Sequence, residues 1–347
     1  MTYPPSAVVW SVFVNYLWAA GSATGIGSLP YDDRDEAARI VVGELGEFPH
    51  LPELPSRGAG ADMIGRSAVL LVDLHVDLQP AGWRLIDRAS GDERRARSML
   101  AADLDALEIA AHGYEGPLKI QVSGPLTLAA SLEKTRGDRV LADHGARRDL
   151  AESLAEGVRA HVVDVARRVP GAQVVLQLDE PSLPAVLAGS IPTISGFGRL
   201  RSVAEPEAES LLSAVVTAAG VPVVVHCCAR TVPVLLLQQA GAVAVAVDVA
   251  QLDDAVLGEL AHAVDTGLAL WPGVVPSLRP TTAPSDRELA QRVVGLWRRL
   301  DQDPAGMLDR TVVTPSCGLG GADPQWARQA YELARSTGRA VTDMVTA

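Results

Sequence analysis

The densest group of reactive side chains in this 347-residue sequence is "VPVVVHCCAR" (221–230), where an apolar run ends in His226, Cys227 and Cys228. On an extended chain, residues two apart leave the same face, so His226 and Cys228 point together while Cys227 points away. The only other cysteine, Cys317 in "VTPSCGLGG", also ends an apolar run, and Asp248 ends "AVAVAVDV". His226, Cys228, Asp248 and Cys317 together make a tetrahedral zinc set. Two sulfurs reduce the Lewis acidity available for activating water, so such a site suits binding a thiol and releasing its proton. Buried cysteines are also common as small hydrophobes, and the H-x-C spacing alone does not separate the two readings. A second feature is Asp179-Glu180-Pro181 at the end of "AQVVLQLDEP". A carboxylate pair there suits a substrate ammonium group, with a helix-capping acid as the alternative.

The elements that must position these residues are short β-like runs alternating with longer helical segments, the pattern of parallel strands joined by helical crossovers. The runs at 118–124, 172–181, 221–228, 242–249, 267–275 and 310–318 read as strands, with 23–30 and 69–76 as two earlier ones. Eight strand–helix units imply an α/β chain folded as a single (β/α)8 TIM barrel over residues 23–347. Active sites of such barrels form at the C-terminal ends of the strands, where the cysteines, His226, Asp179 and Asp248 all fall. Residues 46–66 read as a long, partly irregular excursion, and Gly220, Gly241 and Gly338 read as helix stops. His50, His112, His144, His161 and His262 read as surface or helix residues, and only His75 lies close enough to a strand end to enter a site.

A net charge of −12 disfavours nucleic-acid and anionic-membrane partners. Three cysteines, two of them adjacent, make no disulfide scaffold, so the chain reads as a reduced, cytoplasmic protein. Residues 1–22 form an apolar extension: "AVVWSVFVNYLWAAGSA" lacks the basic n-region of a secretory signal and is short of the ~20 apolar residues of a membrane span. "TGIGS" lacks the third glycine and the following acid of a dinucleotide fingerprint.

Taken in order, "TGIGSLP", "VSGPLT", "LQLDEPSL", "VVHCCAR", "VAVAVD" and "VTPSCGLGG" resemble the catalytic barrel of the cobalamin-independent methionine synthase family. H-x-C and P-x-C-G-L are the most specific pieces. The resemblance implies that His226, Cys228 and Cys317 bind Zn2+ and activate homocysteine as a thiolate, which a methyl donor then converts to methionine. Asp248 falls where the family places a glutamate ligand, one methylene longer, so Cys227 or a water is the alternative fourth ligand. Asp179 matches the acid that binds the substrate amino group, next to Glu180, and Ser28 after Gly27 matches a residue at its carboxylate end. The sequence departs from the family on the donor side. "WPGVVPSLRPTT" (271–282) lacks the histidine that protonates the folate leaving group, and "GPLTLAASLEK" lacks the tryptophan that stacks on the pterin. The donor is therefore methyltetrahydrofolate, another small methylated compound, or a methylated corrinoid protein. Other readings are a different acceptor thiol, a metal-free decarboxylase of the uroporphyrinogen type with an arginine-rich pocket, and a binding protein without catalysis.

Overall fold

A computed structural model describes residues 16–347. A short antiparallel hairpin, β1 (His75–Gln79) and β2 (Gly82–Ile86), precedes six parallel strands: β3 (Gly116–Ser123), β4 (Ala172–Asp179), β5 (Val223–Cys227), β6 (Ala244–Asp248), β7 (Ala269–Val275) and β8 (Thr314–Pro315). These six are hydrogen-bonded in chain order into one curled sheet. The helices are α1 (Arg34–Glu44), α2 (Met63–Ala68), α3 (Gly91–Ala110), α4 (Pro125–Ser131), α5 (His144–Arg168), α6 (Leu183–Leu187), α7 (Glu205–Ala219), α8 (Val234–Gln239), α9 (Asp254–Asp265), α10 (Asp286–Arg299) and α11 (Pro324–Thr346). Their ends follow local chemistry. Ser285 caps α10 in a reciprocal capping box with Glu288, and Gly220 ends α7 in the left-handed conformation at φ 64°.

Strand alternation sorts side chains into two layers. Val225, Cys227, Val245 and Val247 pack outward in the large core under the helices. Val175, Val224, Ala244, Ala246, Ala269 and Trp271 form a second, inner cluster with Trp18, Ile26, Phe48 and Val312. The inner cluster lies toward the N-terminal ends of the strands, so the opposite ends are left for polar groups. Register sets those side by side: Ser123 pairs with Asp179, Asp179 with His226, and Asp248 with Gly273.

Three readings of the sequence are corrected. Residues 69–76 supply no strand to the parallel sheet, because Asp73 turns the backbone to φ 59° and the chain then enters the antiparallel β1–β2 hairpin. The supposed excursion instead contributes isolated parallel bridges, His50 to Lys119 and Ser28 to Glu53, while Ala23 bridges to Val313. Pro49, Pro52 and Pro55 hid this segment, since prolines remove ladder donors. Gly338 is no helix stop: α11 runs through it, and a Cβ there would meet the Gly21 carbonyl oxygen at 2.1 Å.

The apolar extension is described from Tyr16 onward; residues 1–15 lie outside the described residues. Trp18 packs edge-on to Trp271 (centroids 5.1 Å) and stacks near Phe48 (6.2 Å), and Tyr16 Oη donates to the Gly267 carbonyl at 2.7 Å. Among the described residues, no helix is long and apolar enough to cross a membrane.

Candidate metal centre

His226 is the last residue but one of the buried strand β5, Cys228 follows that strand, and Cys317 lies just after β8. One ligand atom from each lies within 4.8 Å of the other two. The two sulfurs are 3.4 Å apart. His226 is 3% exposed, and its Nδ1 faces the Ala246 carbonyl oxygen at 3.2 Å. That contact fixes Nδ1 as the protonated nitrogen and leaves Nε2 with a free lone pair, buried and without a partner. A buried orphan nitrogen is costly unless something fills its coordination. Two close sulfurs and a pre-oriented imidazole form a soft donor set that fits a tetrahedral zinc ion. The hydrogen bond between the two sulfurs holds the Cys317 thiol well below its usual range and pushes Cys228 upward. Cys227 faces the outer core, fully buried, and burial pushes its thiol up to about 12.

The trio borders a cavity of about 380 Å³ that also touches Ser28, Glu53, Asp62, Met63 and Asp179. Asp179 is 5% exposed and accepts a 2.7 Å hydrogen bond from Gln177 Nε2. Burial raises the pKa of both Asp179 and Glu53. Beneath them Lys119, fully buried, donates to the Ile26 carbonyl at 2.8 Å and to Gln121 Oε1 at 3.2 Å, and burial lowers its pKa. The floor thus carries two carboxylates in the field of one lysine, a setting for a cationic group on an otherwise apolar ligand.

The remaining expected site residues are placed as follows. Ser28 lines the cavity, its Oγ accepting from Gly320 N at 3.2 Å. Gly27, at φ 156°, lets the backbone lie against the Gln121 side chain, which a Cβ would meet at 3.0 Å. Asp248 is not within the close-set trio; its Oδ1 caps the following turn by accepting from Ala250 N at 3.0 Å. Glu180 is corrected as a substrate-binding residue. It is fully buried facing α4, where its carboxylate accepts from Leu126 N (2.9 Å), Thr127 N (2.8 Å) and Thr127 Oγ1 (2.7 Å). The alternation that turns Asp179 inward turns Glu180 outward. His75 sits on the β1–β2 hairpin against Glu93, 3.2 Å away, and does not reach the cavity. His50 is fully buried, its Nε2 2.7 Å from Tyr331 Oη, and Gly25 of "TGIGS" makes room for that pair.

A family model described as the catalytic domain of cobalamin-independent synthase matches residues 21–339. The chain belongs to this family. Cobalamin-independent synthases are methyltransferases, and that class extends to this member. Among solved structures, the chain is similar to a B12-independent methionine synthase from Shewanella sp. W3-18-1 in complex with selenomethionine, with TM-score 0.63, 12% identity, and coverage of 94% of this chain and 99% of that one. At that identity the likeness is one of fold. SrfJ from Salmonella typhimurium follows at TM-score 0.44 and 10% identity, over 92% of this chain and 74% of that one. No curated protein sequence matches. In this member of the family, the residues that sequence reading missed are Glu53, Lys119, Gln121 and Gln177. Their signal was present: "LKIQVS" alternates Lys119, Gln121 and Ser123 with apolar residues, and Lys119 is one of only two lysines in the chain.

Proposed function

We propose that the protein is a zinc-dependent methyltransferase that methylates homocysteine to methionine on an eight-stranded barrel, the bridged segments around 23–28 and 50–53 supplying the two strands beyond β3–β8. The observation that carries this reading is the unpartnered Nε2 of His226 beside two sulfurs 3.4 Å apart. His226, Cys228 and Cys317 would hold the ion, with Asp248 or a water as fourth ligand, since Cys227 faces the outer core. Zinc bound there would lower the pKa of a coordinated thiol so that it is a thiolate near neutral pH. Asp179 and Glu53 hold the ammonium group of homocysteine, and Ser28 lies toward its carboxylate end. Fixing both ends of the amino acid aims its sulfur at the incoming methyl group, and that alignment supplies much of the rate.

The decarboxylase reading loses support because no arginine lines the cavity: Arg66 is buried against Asp103 at 2.6 Å and Arg230 is exposed on the surface. Metal analysis tests the proposal. Wild-type protein from metal-replete cells should carry about one zinc per chain, a Cys228→Ser/Cys317→Ser variant almost none, and Cys227→Ala the wild-type amount. Zinc retained in the double variant, or absent from wild type, refutes the centre.

A further inference from the structure

Lys119 lies fully buried inside the curled sheet, where an ammonium group is costly unless its surroundings compensate it. The acceptors bonded to its Nζ are both neutral, the Ile26 carbonyl at 2.8 Å and Gln121 Oε1 at 3.2 Å. Among the described residues no carboxylate touches it; Asp179 and Glu53 act on it through their field. The bonds around it run to three walls of the cavity beside the metal trio. Gln177, the register partner of Gln121, donates from Nε2 to the same Ile26 carbonyl at 2.8 Å and to Asp179 Oδ1 at 2.7 Å. Two inward donors thus occupy the Ile26 oxygen and fix the peptide that leads into Gly27 and Ser28. On the third side Gln121 Nε2 donates to the Leu51 carbonyl at 2.6 Å, and Glu53 N to the Gly27 carbonyl at 3.0 Å. The Lys119 carbonyl closes the ring by accepting from Leu51 N at 2.9 Å.

We infer that Lys119 is a positioning residue that makes the site selective for thiols carrying an amino group. The inference rests on the proposed homocysteine chemistry of this cavity. Two features carry it. One side chain and its two glutamine neighbours tie together the segment bearing Ser28, the strand bearing Asp179 and the segment bearing Glu53. The groups proposed for the two ends of the amino acid are therefore held at a fixed separation. Charge supplies the second feature: two inward acids on an otherwise apolar floor repel each other, and a cation beneath them lets both face the cavity. Glu53 and Asp179 against Lys119 leave one net negative charge, which a single ligand ammonium neutralises, while Asp62 is engaged in capping α2. Lys119 meets no reacting atom and acts through these neighbours.

The test compares L-homocysteine with 4-mercaptobutanoate, which keeps the thiol and the carboxylate and lacks the amino group. Sulfur-to-metal absorption of cobalt-substituted protein reads Kd for each. Wild type should favour homocysteine by roughly 10- to 100-fold, the worth of a charge-assisted contact. In Lys119→Met that ratio should shrink by at least about fivefold, with metal content at the wild-type level. A general loosening of the site weakens both thiols together and leaves the ratio where it was. Lys119→Gln, shorter and neutral but still polar, should behave alike and carries the same prediction where the methionine variant does not fold. A smaller change in the ratio in folded, metal-loaded protein overturns the inference and leaves the proposed function standing. Wild-type protein that binds both thiols equally refutes the ammonium site of the proposed function, and protein that takes up no cobalt refutes the metal centre; in either case the inference falls with the reading it rests on.

Discussion

Trp18 packs in the inner cluster of the curled sheet, away from the His226–Cys228–Cys317 trio, and replacing it by alanine should cost about 4 kcal/mol. Its side chain is 4% exposed. Burying a large aromatic removes roughly 200 Å² from water, worth about 5 kcal/mol at ~25 cal/mol/Å² against an extended chain. A realistic unfolded reference lowers that to about 3–4 kcal/mol. Loss of the edge-on pair with Trp271 adds about 0.5–1.5 kcal/mol, and the total falls in the usual range for Trp→Ala in a core. At about 1.4 °C per kcal/mol for a chain of 347 residues, Tm should fall by about 5–6 °C. The indole Nε1 of Trp18 has no hydrogen-bond partner among the described residues, so Trp18→Phe removes an unsatisfied donor and should cost under about 1.5 kcal/mol. Urea unfolding followed by circular dichroism measures both. A Trp18→Ala cost under about 1 kcal/mol, or a phenylalanine as damaging as an alanine, would refute the packing argument.

Asp179→Asn should weaken homocysteine binding by roughly 10- to 100-fold, through loss of a charge-assisted hydrogen bond, while zinc content stays unchanged. Titration of cobalt-substituted protein by its sulfur-to-metal absorption reads the affinity, and an unchanged Kd would remove Asp179 from the substrate contacts. On the surface, Arg279 donates to both oxygens of Asp323 at 2.8 Å and holds that carboxyl well below the usual range. A depressed carboxylate adds stability above its unfolded value of about 3.9 and loses it as pH falls through the folded value. Arg279→Ala should therefore raise the Asp323 pKa and move acid unfolding to higher pH. An NMR titration showing the Asp323 pKa unmoved would contradict this.

Strands β5, β6 and β7 were the most legible because each is buried on both faces and reads as a nearly unbroken apolar run. The parity of H-x-C was equally legible, since a period of two decides which cysteine shares a face with His226. The segment around His50 was not: three prolines within seven residues obscure any strand pattern, although Leu51 N and Glu53 N still reach Lys119 O and Gly27 O at 2.9 and 3.0 Å. Glu53 was lost with it. The same period of two that places Asp179 at the cavity excludes Glu180, yet as neighbours both suggested ligand contacts, because sequence alone does not say which of two adjacent acids faces the axis. Gly338 was misread because a glycine that ends a helix and one that lets another backbone approach have the same spelling.

The floor beneath the site joins distant parts of the chain. Tyr16 bonds to Gly267, Trp18 rests on Trp271, and Ala23 bridges to Val313. On a ribosome these partners emerge far apart in time, so residues 16–23 must wait for segments about 250–290 residues further along the chain. Closure then joins parts made far apart in time, with the slow kinetics that long-range pairing imposes. Nascent chains stalled before residue 313 should lack the finished floor, leaving Trp18 open to solvent and to chaperones.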